Sequence, residues 1–120
     1  MNTISCVIIE DEEKASRLLK SMIEEFCEGL VVKAIAGDVA EGVDAIKKHN
    51  PDIVFLDIEM PRASGFTLFD HFDMINFEVI FTTAYGQYAI KAIKLAALDY
   101  LMKPIHLQEL LDATERFRER

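Results

Sequence analysis

A chain of 120 residues, about half of them apolar, can bury one hydrophobic core and is too short for two domains, so residues 1–120 are read as one domain. Its 21 acidic against 13 basic groups leave a formal charge of −8, which fits a soluble globular protein and argues against nucleic-acid binding by this segment; any DNA contact would need a further domain. Two cysteines, Cys6 and Cys27, make neither a disulfide framework nor a metal-ligand spacing, and Met1 to Cys6 lacks the positive start of a signal peptide. Reduced thiols, no membrane span and a cytoplasmic location are the expectations.

In chain order, short β-branched or aromatic runs alternate with longer stretches of helical spacing. The first run, Ile4 to Ile9, stops at four consecutive acids, Glu10 to Glu13. Ala15, Leu18, Leu19, Met22, Ile23 and Phe26 then keep the i, i+3, i+4, i+7 spacing of one helix face. A second run, Val31 to Ala36, precedes Val39, Val43 and Ile46 on a second helix pattern. The third run, Ile53 to Leu56, ends in Asp57 and leads to a stripe of Phe66, Phe69 and Phe72, read as core at helical spacing. Val79 to Thr82 is followed by Ala89, Ala92, Ile93 and Ala96, and Leu98 to Met102 by Leu107, Leu110, Leu111 and Phe117. The last pattern stops at "RFRER" with no following Gly or Pro, which leans toward a chain cut from a longer one.

Strands that are apolar throughout suit a parallel sheet covered on both faces, and right-handed crossovers then give a doubly wound α/β fold. The expected architecture is flavodoxin-like, with five parallel strands in the order 2-1-3-4-5 and helices on both faces. Ligands of such sheets bind at the carboxyl ends of the strands, near the switch in strand order. Those ends carry Glu10 and Asp11, Asp57, Thr82 and Thr83, and Lys103.

Neighbouring first and third strands would bring Glu10, Asp11 and Asp57 into one small volume. Three carboxylates that close raise one another's pKa unless a cation sits among them. Magnesium suits the count, because it takes a few carboxylates and keeps waters that a phosphate oxygen can replace. Acids opening a helix are also favoured by its dipole without any metal; the recurrence of Asp57 and Lys103 at the same edge favours the cation site. A carboxylate can attack phosphorus when the charge of the transferring group is neutralised. Lys103 could reach the phosphoryl oxygens, the Thr83 hydroxyl could donate to another, and a backbone N–H after Asp57 could supply a third contact. His49, His71 and His106 stand singly and are read as solvated or capping groups, and Tyr85 and Tyr88 as ordinary loop and helix-start aromatics.

The segments "IIEDE", "VFLDIEMP", Gly65, "FTTAY" and "DYLMKPI" closely resemble the receiver domain of two-component response regulators, over essentially the whole chain. The resemblance implies that Asp57 is the phosphoacceptor, that Glu10 and Asp11 are the acidic metal pair, and that the Glu59 backbone carbonyl completes the magnesium site. It implies Thr83 and Tyr100 as switch residues, Lys103 as the lysine on the phosphoryl group, Pro61 and Gly65 at the expected offsets, and a cis Lys103–Pro104 bond. Glu10 stands where aspartate is commoner, and Glu59 and Tyr85 occupy the positions that tune phosphoryl lifetime. The implied partner is a sensor histidine kinase, with no membrane contact and with homodimerisation through the fourth and fifth βα units. "FTTAYGQYAIKAIKLAALDYLMKPI" is similar to the subgroup with a LytTR-type DNA-binding output domain, which would lie in a further C-terminal domain. Rival readings are a haloacid dehalogenase-like phosphohydrolase, whose motif would come on the first strand, a flavodoxin-type carrier, which lacks its phosphate loop here, and a pseudo-receiver that binds partners without phosphorylation.

Overall fold

The computed structural model describes residues 3–120, so Met1 and Asn2, which entered the signal-peptide reading, lie outside the described residues. Five strands, β1 (Ile4–Ile9), β2 (Leu30–Ala36), β3 (Ile53–Asp57), β4 (Glu78–Thr83) and β5 (Asp99–Met102), pair in parallel in the order β2-β1-β3-β4-β5. This is the flavodoxin-like arrangement that the hydrophobic runs predict. Every residue of the central β3 is buried, whereas edge strand β2 alternates buried and exposed positions.

Two cores lie on opposite faces of the sheet. On one, α1 (Glu13–Phe26) and α4 (Leu107–Glu119) pack Leu19, Ile23, Leu110 and Phe117 against Cys6, Ile8, Ile53 and Phe55. On the other, α2 (Val39–His49), α3 (Ala89–Lys94) and a 3-10 segment at Gly65–His71 cover Val7, Ile9, Val54, Leu56 and Phe81. Asp38 caps α2 by accepting the Glu41 N–H at 2.8 Å, and Asn50 ends it in a left-handed conformation, φ 46°. No helix of the described residues is long and apolar enough to cross a membrane.

Three local expectations are corrected. The crossover after β3 is a 3-10 segment rather than an α-helix. Phe66, Phe69 and Phe72 are spaced by three, and that period superimposes side chains in a 3-10 turn but not at 3.6 residues per turn. Phe66 and Phe69 thereby both meet the Phe81 ring, at 5.1 and 6.2 Å between centroids, and Phe72 meets Phe77. Helix α3 turns inward only Ala92: Ile93 is 75% exposed and Ala96 lies past the helix end at φ 57°. On α1, Leu19 and Ile23 face the core while Leu18 and Phe26 stand exposed on its flanks.

Candidate functional site

The register that pairs Ile9 with Leu56 places the next residue of each strand, Glu10 and Asp57, side by side at the carboxyl edge. Glu10 and Asp57 are buried and Asp11 is exposed, and one carboxylate oxygen from each lies within 4.8 Å of the others. The Glu10 backbone N–H is tied to the Ala36 carbonyl at 2.9 Å, and its carboxylate accepts the Glu12 N–H at 3.1 Å. The three acids expected to converge do so.

Lys103 enters from the far edge of the sheet. Its backbone N–H donates to the Thr83 carbonyl at 2.7 Å, and the Lys103–Pro104 bond is cis, as the resemblance implies. The ammonium lies 2.5 Å from Glu10 Oε1 and 3.4 Å from Asp57 Oδ2. Burial pushes the Asp57 carboxyl up to about 7, the Glu10 charge adds to that, and Lys103 opposes it. Burial pulls the Lys103 ammonium down, but the hydrogen bond to Glu10 and the charges of both acids outweigh it, and the net shift is upward. One ammonium beside three carboxylates leaves negative charge uncompensated. A hard divalent cation is the group this donor set fits.

Gly65 shapes the loop behind Asp57. Its N–H donates to the Ile58 carbonyl at 2.8 Å, and a Cβ placed there would lie 2.1 Å from the Asp57 carbonyl oxygen. Any other residue must shift either this loop or the backbone of Asp57. Gly65→Ala is therefore expected to cost about 2–3 kcal/mol in urea unfolding, and an unchanged midpoint would show that the loop yields freely.

Asp57 pairs with Thr82 in register, so Thr83 stands one residue further along the neighbouring strand. Thr83 is buried, and its Oγ1 accepts the Tyr85 N–H at 3.1 Å, which leaves the hydroxyl proton to donate elsewhere. Tyr100, half-buried on β5, donates its hydroxyl to the Tyr85 carbonyl. Thr83 and Tyr100 are thus held to the same residue, from its two sides.

The Glu59 side chain does not join the acid cluster; it is exposed and accepts the Tyr88 hydroxyl. Reading Tyr88 as an ordinary helix-start aromatic misses this bond, and no spacing in the sequence announces it. The three histidines enter no metal-ligand group among the described residues.

Residues 6–115 match the family model described as response regulator receiver domain. A response regulatory protein of Vibrio cholerae, itself uncharacterized, is 38% identical over 114 residues, which cover 94% of this chain and 48% of that protein. The transcriptional regulatory protein BtsR of Escherichia coli is 37% identical over 117 residues, covering 97% and 48%. The chain spans about half the length of these curated relatives. Among solved structures, the N-terminal domain of an uncharacterized protein from Wolinella succinogenes is 30% identical with a TM-score of 0.80, over 98% of this chain and 94% of that one. A two-component response regulator of the LuxR family from Aurantimonas shares the fold at a TM-score of 0.87 and 24% identity, over 99% and 88%.

Proposed function

The chain belongs to the response regulator receiver domain family, and on that premise we propose that residues 1–120 form a phosphorylation-activated switch with Asp57 as phosphoacceptor. The observation that carries this reading is the buried Asp57 carboxylate flanked by Glu10 and Asp11, with the Lys103 ammonium 3.4 Å away. The donor is a phosphohistidine on a sensor histidine kinase. An Asp57 oxygen bonds to phosphorus as the phosphorus–nitrogen bond breaks, and the bonding pair stays with the imidazole, which takes a proton from solvent.

Glu10, Asp11, Asp57 and the Glu59 backbone carbonyl would hold magnesium. Bound there, the ion neutralises charge on the transferring phosphoryl group and on the acids around it. Lys103 supplies a second positive charge from the end of β5, and the free Thr83 proton donates to a phosphoryl oxygen. That donation draws on Thr83, which is bonded to Tyr85, which in turn holds Tyr100. A rearrangement at Thr83 is thereby passed to β5 and α3 as a shift between two arrangements of the same contacts.

Helix α3 leaves Ile90 69% and Ile93 75% exposed, and Met102 on β5 is 39% exposed. We read this face as the place where a second phosphorylated copy docks. The parent is expected to double its solution mass on phosphorylation by light scattering, and Ile93→Asp to remain monomeric; a parent whose mass does not change removes the dimer from the scheme. The half of the curated relatives that this chain does not cover has the length of an output domain, and a LytTR-type DNA-binding domain fits the sequence signature of the fourth and fifth units. Location in the cytoplasm follows from a kinase partner and a nucleic-acid target.

The test is intact-mass measurement after incubation with acetyl phosphate and magnesium. The parent is expected to gain one phosphoryl group and Asp57→Asn none. Equal gain by both would overturn Asp57 as the acceptor, and multiple turnover of small phosphomonoesters would replace this reading with that of a phosphohydrolase.

A further inference from the structure

A groove between α1 and the segment that joins β5 to α4 runs up to the acid cluster. Its volume is about 410 Å³, within the roughly 300–1,000 Å³ of small-molecule sites. Leu18 and Met22 of α1 line one side, and Pro104 and Ile105 line the other. Leu18 is 60% exposed along it. Glu10, Thr82 and Lys103 supply the polar end, and Glu12 and Lys14 border it with charges that cancel.

Thr82 marks this groove as more than an apolar cleft. Successive side chains of β4 point to opposite faces of the sheet: Ile80 belongs to the core under α1 and α4, Phe81 to the other core, and Thr82 to the α1 and α4 side again. The hydroxyls of Thr67, Thr83 and Thr114 are each bonded to a protein group, and that of Thr82 to none. Thr82 is only 2% exposed, yet among the described residues no sealed side-chain oxygen lacks a partner. Its hydroxyl therefore opens into the groove that it lines. A buried hydroxyl without a partner is costly, and a ligand that bonds to it removes that penalty.

Charge selects the ligand. The Lys103 ammonium is shared between Glu10 and Asp57, and an Asp11 carboxylate oxygen lies within 4.8 Å of both acids. Three carboxylates outnumber one ammonium, so an anion would be repelled. A wholly apolar molecule would seal Thr82 and Glu10 from water without pairing them. Each Glu10 oxygen holds one bond, to Lys103 or to the Glu12 N–H, and keeps a second lone pair. A primary ammonium brings three donors and no acceptor to these groups. We propose that the groove binds a small amphipathic amine, whose apolar body lies against Leu18, Met22 and Ile105 and whose ammonium donates to Glu10 and to the Thr82 hydroxyl. The amine and a divalent cation draw on the same uncompensated charge, so each lowers the affinity of the other by the same factor. Binding of the amine does not depend on Asp57 accepting a phosphoryl group.

The experiment titrates the metal-free, unphosphorylated protein with phenylbutylammonium and follows the backbone amides by NMR. Saturable shifts are expected at Leu18, Met22, Thr82 and Ile105, with a Kd of about 0.1 mM for a ligand of this size. Phenylbutanol, which has the same body and no charge, is expected to bind about tenfold more weakly, and phenylbutanoate not to bind. Saturating magnesium is expected to weaken the amine about fivefold. Ala15→Phe fills the groove from a half-buried position on α1 and is expected to abolish binding. Thr82→Val keeps the shape of the side chain, deletes the hydroxyl and is expected to weaken the amine about fivefold. Equal affinity for the alcohol or the acid, or unchanged affinity in Thr82→Val, overturns the proposal even where Ala15→Phe fails to fold. Shifts confined to residues 10–13 and 57 make the amine a loose counter-ion of the acids, which also overturns it. Binding by none of the three probes strikes out the small-molecule site and leaves the groove to a macromolecular partner such as the kinase.

Discussion

Asp57→Asn is expected to raise the melting temperature of the metal-free protein at pH 8 while abolishing phosphoryl uptake. The reason is the company that Asp57 keeps. Its carboxyl rises from an ordinary 3.8 to about 7, first because it is buried and then because Glu10 is beside it. The folded protein therefore holds a proton on Asp57 more tightly than the unfolded chain does, and this group favours folding fully below about pH 4. That contribution is lost as pH rises toward and through 7. Above pH 7 the parent buries an ionised carboxylate next to a second one, whereas asparagine brings no charge. Lys103 attracts Asp57 and loses that partner in the variant, so the gain is smaller than the full shift of pKa. About 2 kcal/mol is expected, or roughly 10 °C in a domain of this size. Calorimetry at pH 5 and pH 8 checks the sign, because the advantage must shrink at the lower pH. Magnesium must shrink it too, since the ion stabilises the parent by binding its folded state. A variant that melts below the parent at pH 8 without metal would contradict this account of the site.

The same crowding explains why the acids were legible in the sequence. A run as apolar as Ile53–Leu56 cannot end in Asp57 on a buried strand without a reason, and five such runs with their order bring Glu10 and Asp57 together before any coordinates are known. Strand ends are positions of backbone topology, and hydrophobic patterning reports topology well. Side-chain direction in loops is another matter. The resemblance gives Glu59 a place by its offset from Asp57, but the direction of its carboxylate goes with Tyr88, and Tyr88 packs on Phe66, which rests on Phe81. None of those residues is related to the next by a helix or strand period. The inner face of α3 is hidden from the sequence for a related reason: with only 6 residues, the helix ends before a second turn of spacing can reveal which side faces the sheet. The phenylalanine stripe announces core but not the kind of helix, because a period of three over seven residues drifts too little from 3.6 for hydrophobicity alone to separate them.

Lys103→Met carries the opposite sign from Asp57→Asn, and the contrast tests whether charge governs this site. Methionine keeps the apolar stem, and the backbone N–H that donates to the Thr83 carbonyl is untouched. What disappears is the ammonium that meets both Glu10 and Asp57 from a side chain only 26% exposed. Two buried carboxylates then face each other without a counter-charge, and the metal-free protein is expected to lose about 2–3 kcal/mol at pH 8, near the lower end of what breaking a buried pair costs. Part of that loss should vanish at pH 5, where Asp57 takes up a proton. It should also vanish in the double variant with Asp57→Asn, whose stability must then exceed the sum of the two single effects, since residues in direct contact do not act additively. Magnesium is expected to restore the stability of Lys103→Met, because any cation among the acids relieves their repulsion. It is not expected to restore the rate of phosphorylation by acetyl phosphate, which should stay about 10²-fold below the parent, the loss typical of removing one fixed donor to a developing charge. Recovery of both stability and rate with magnesium would reduce Lys103 to a counter-ion. Recovery of stability alone makes it a group that contacts the transferring phosphoryl oxygens, with the metal and the lysine acting on different charges in the same small volume.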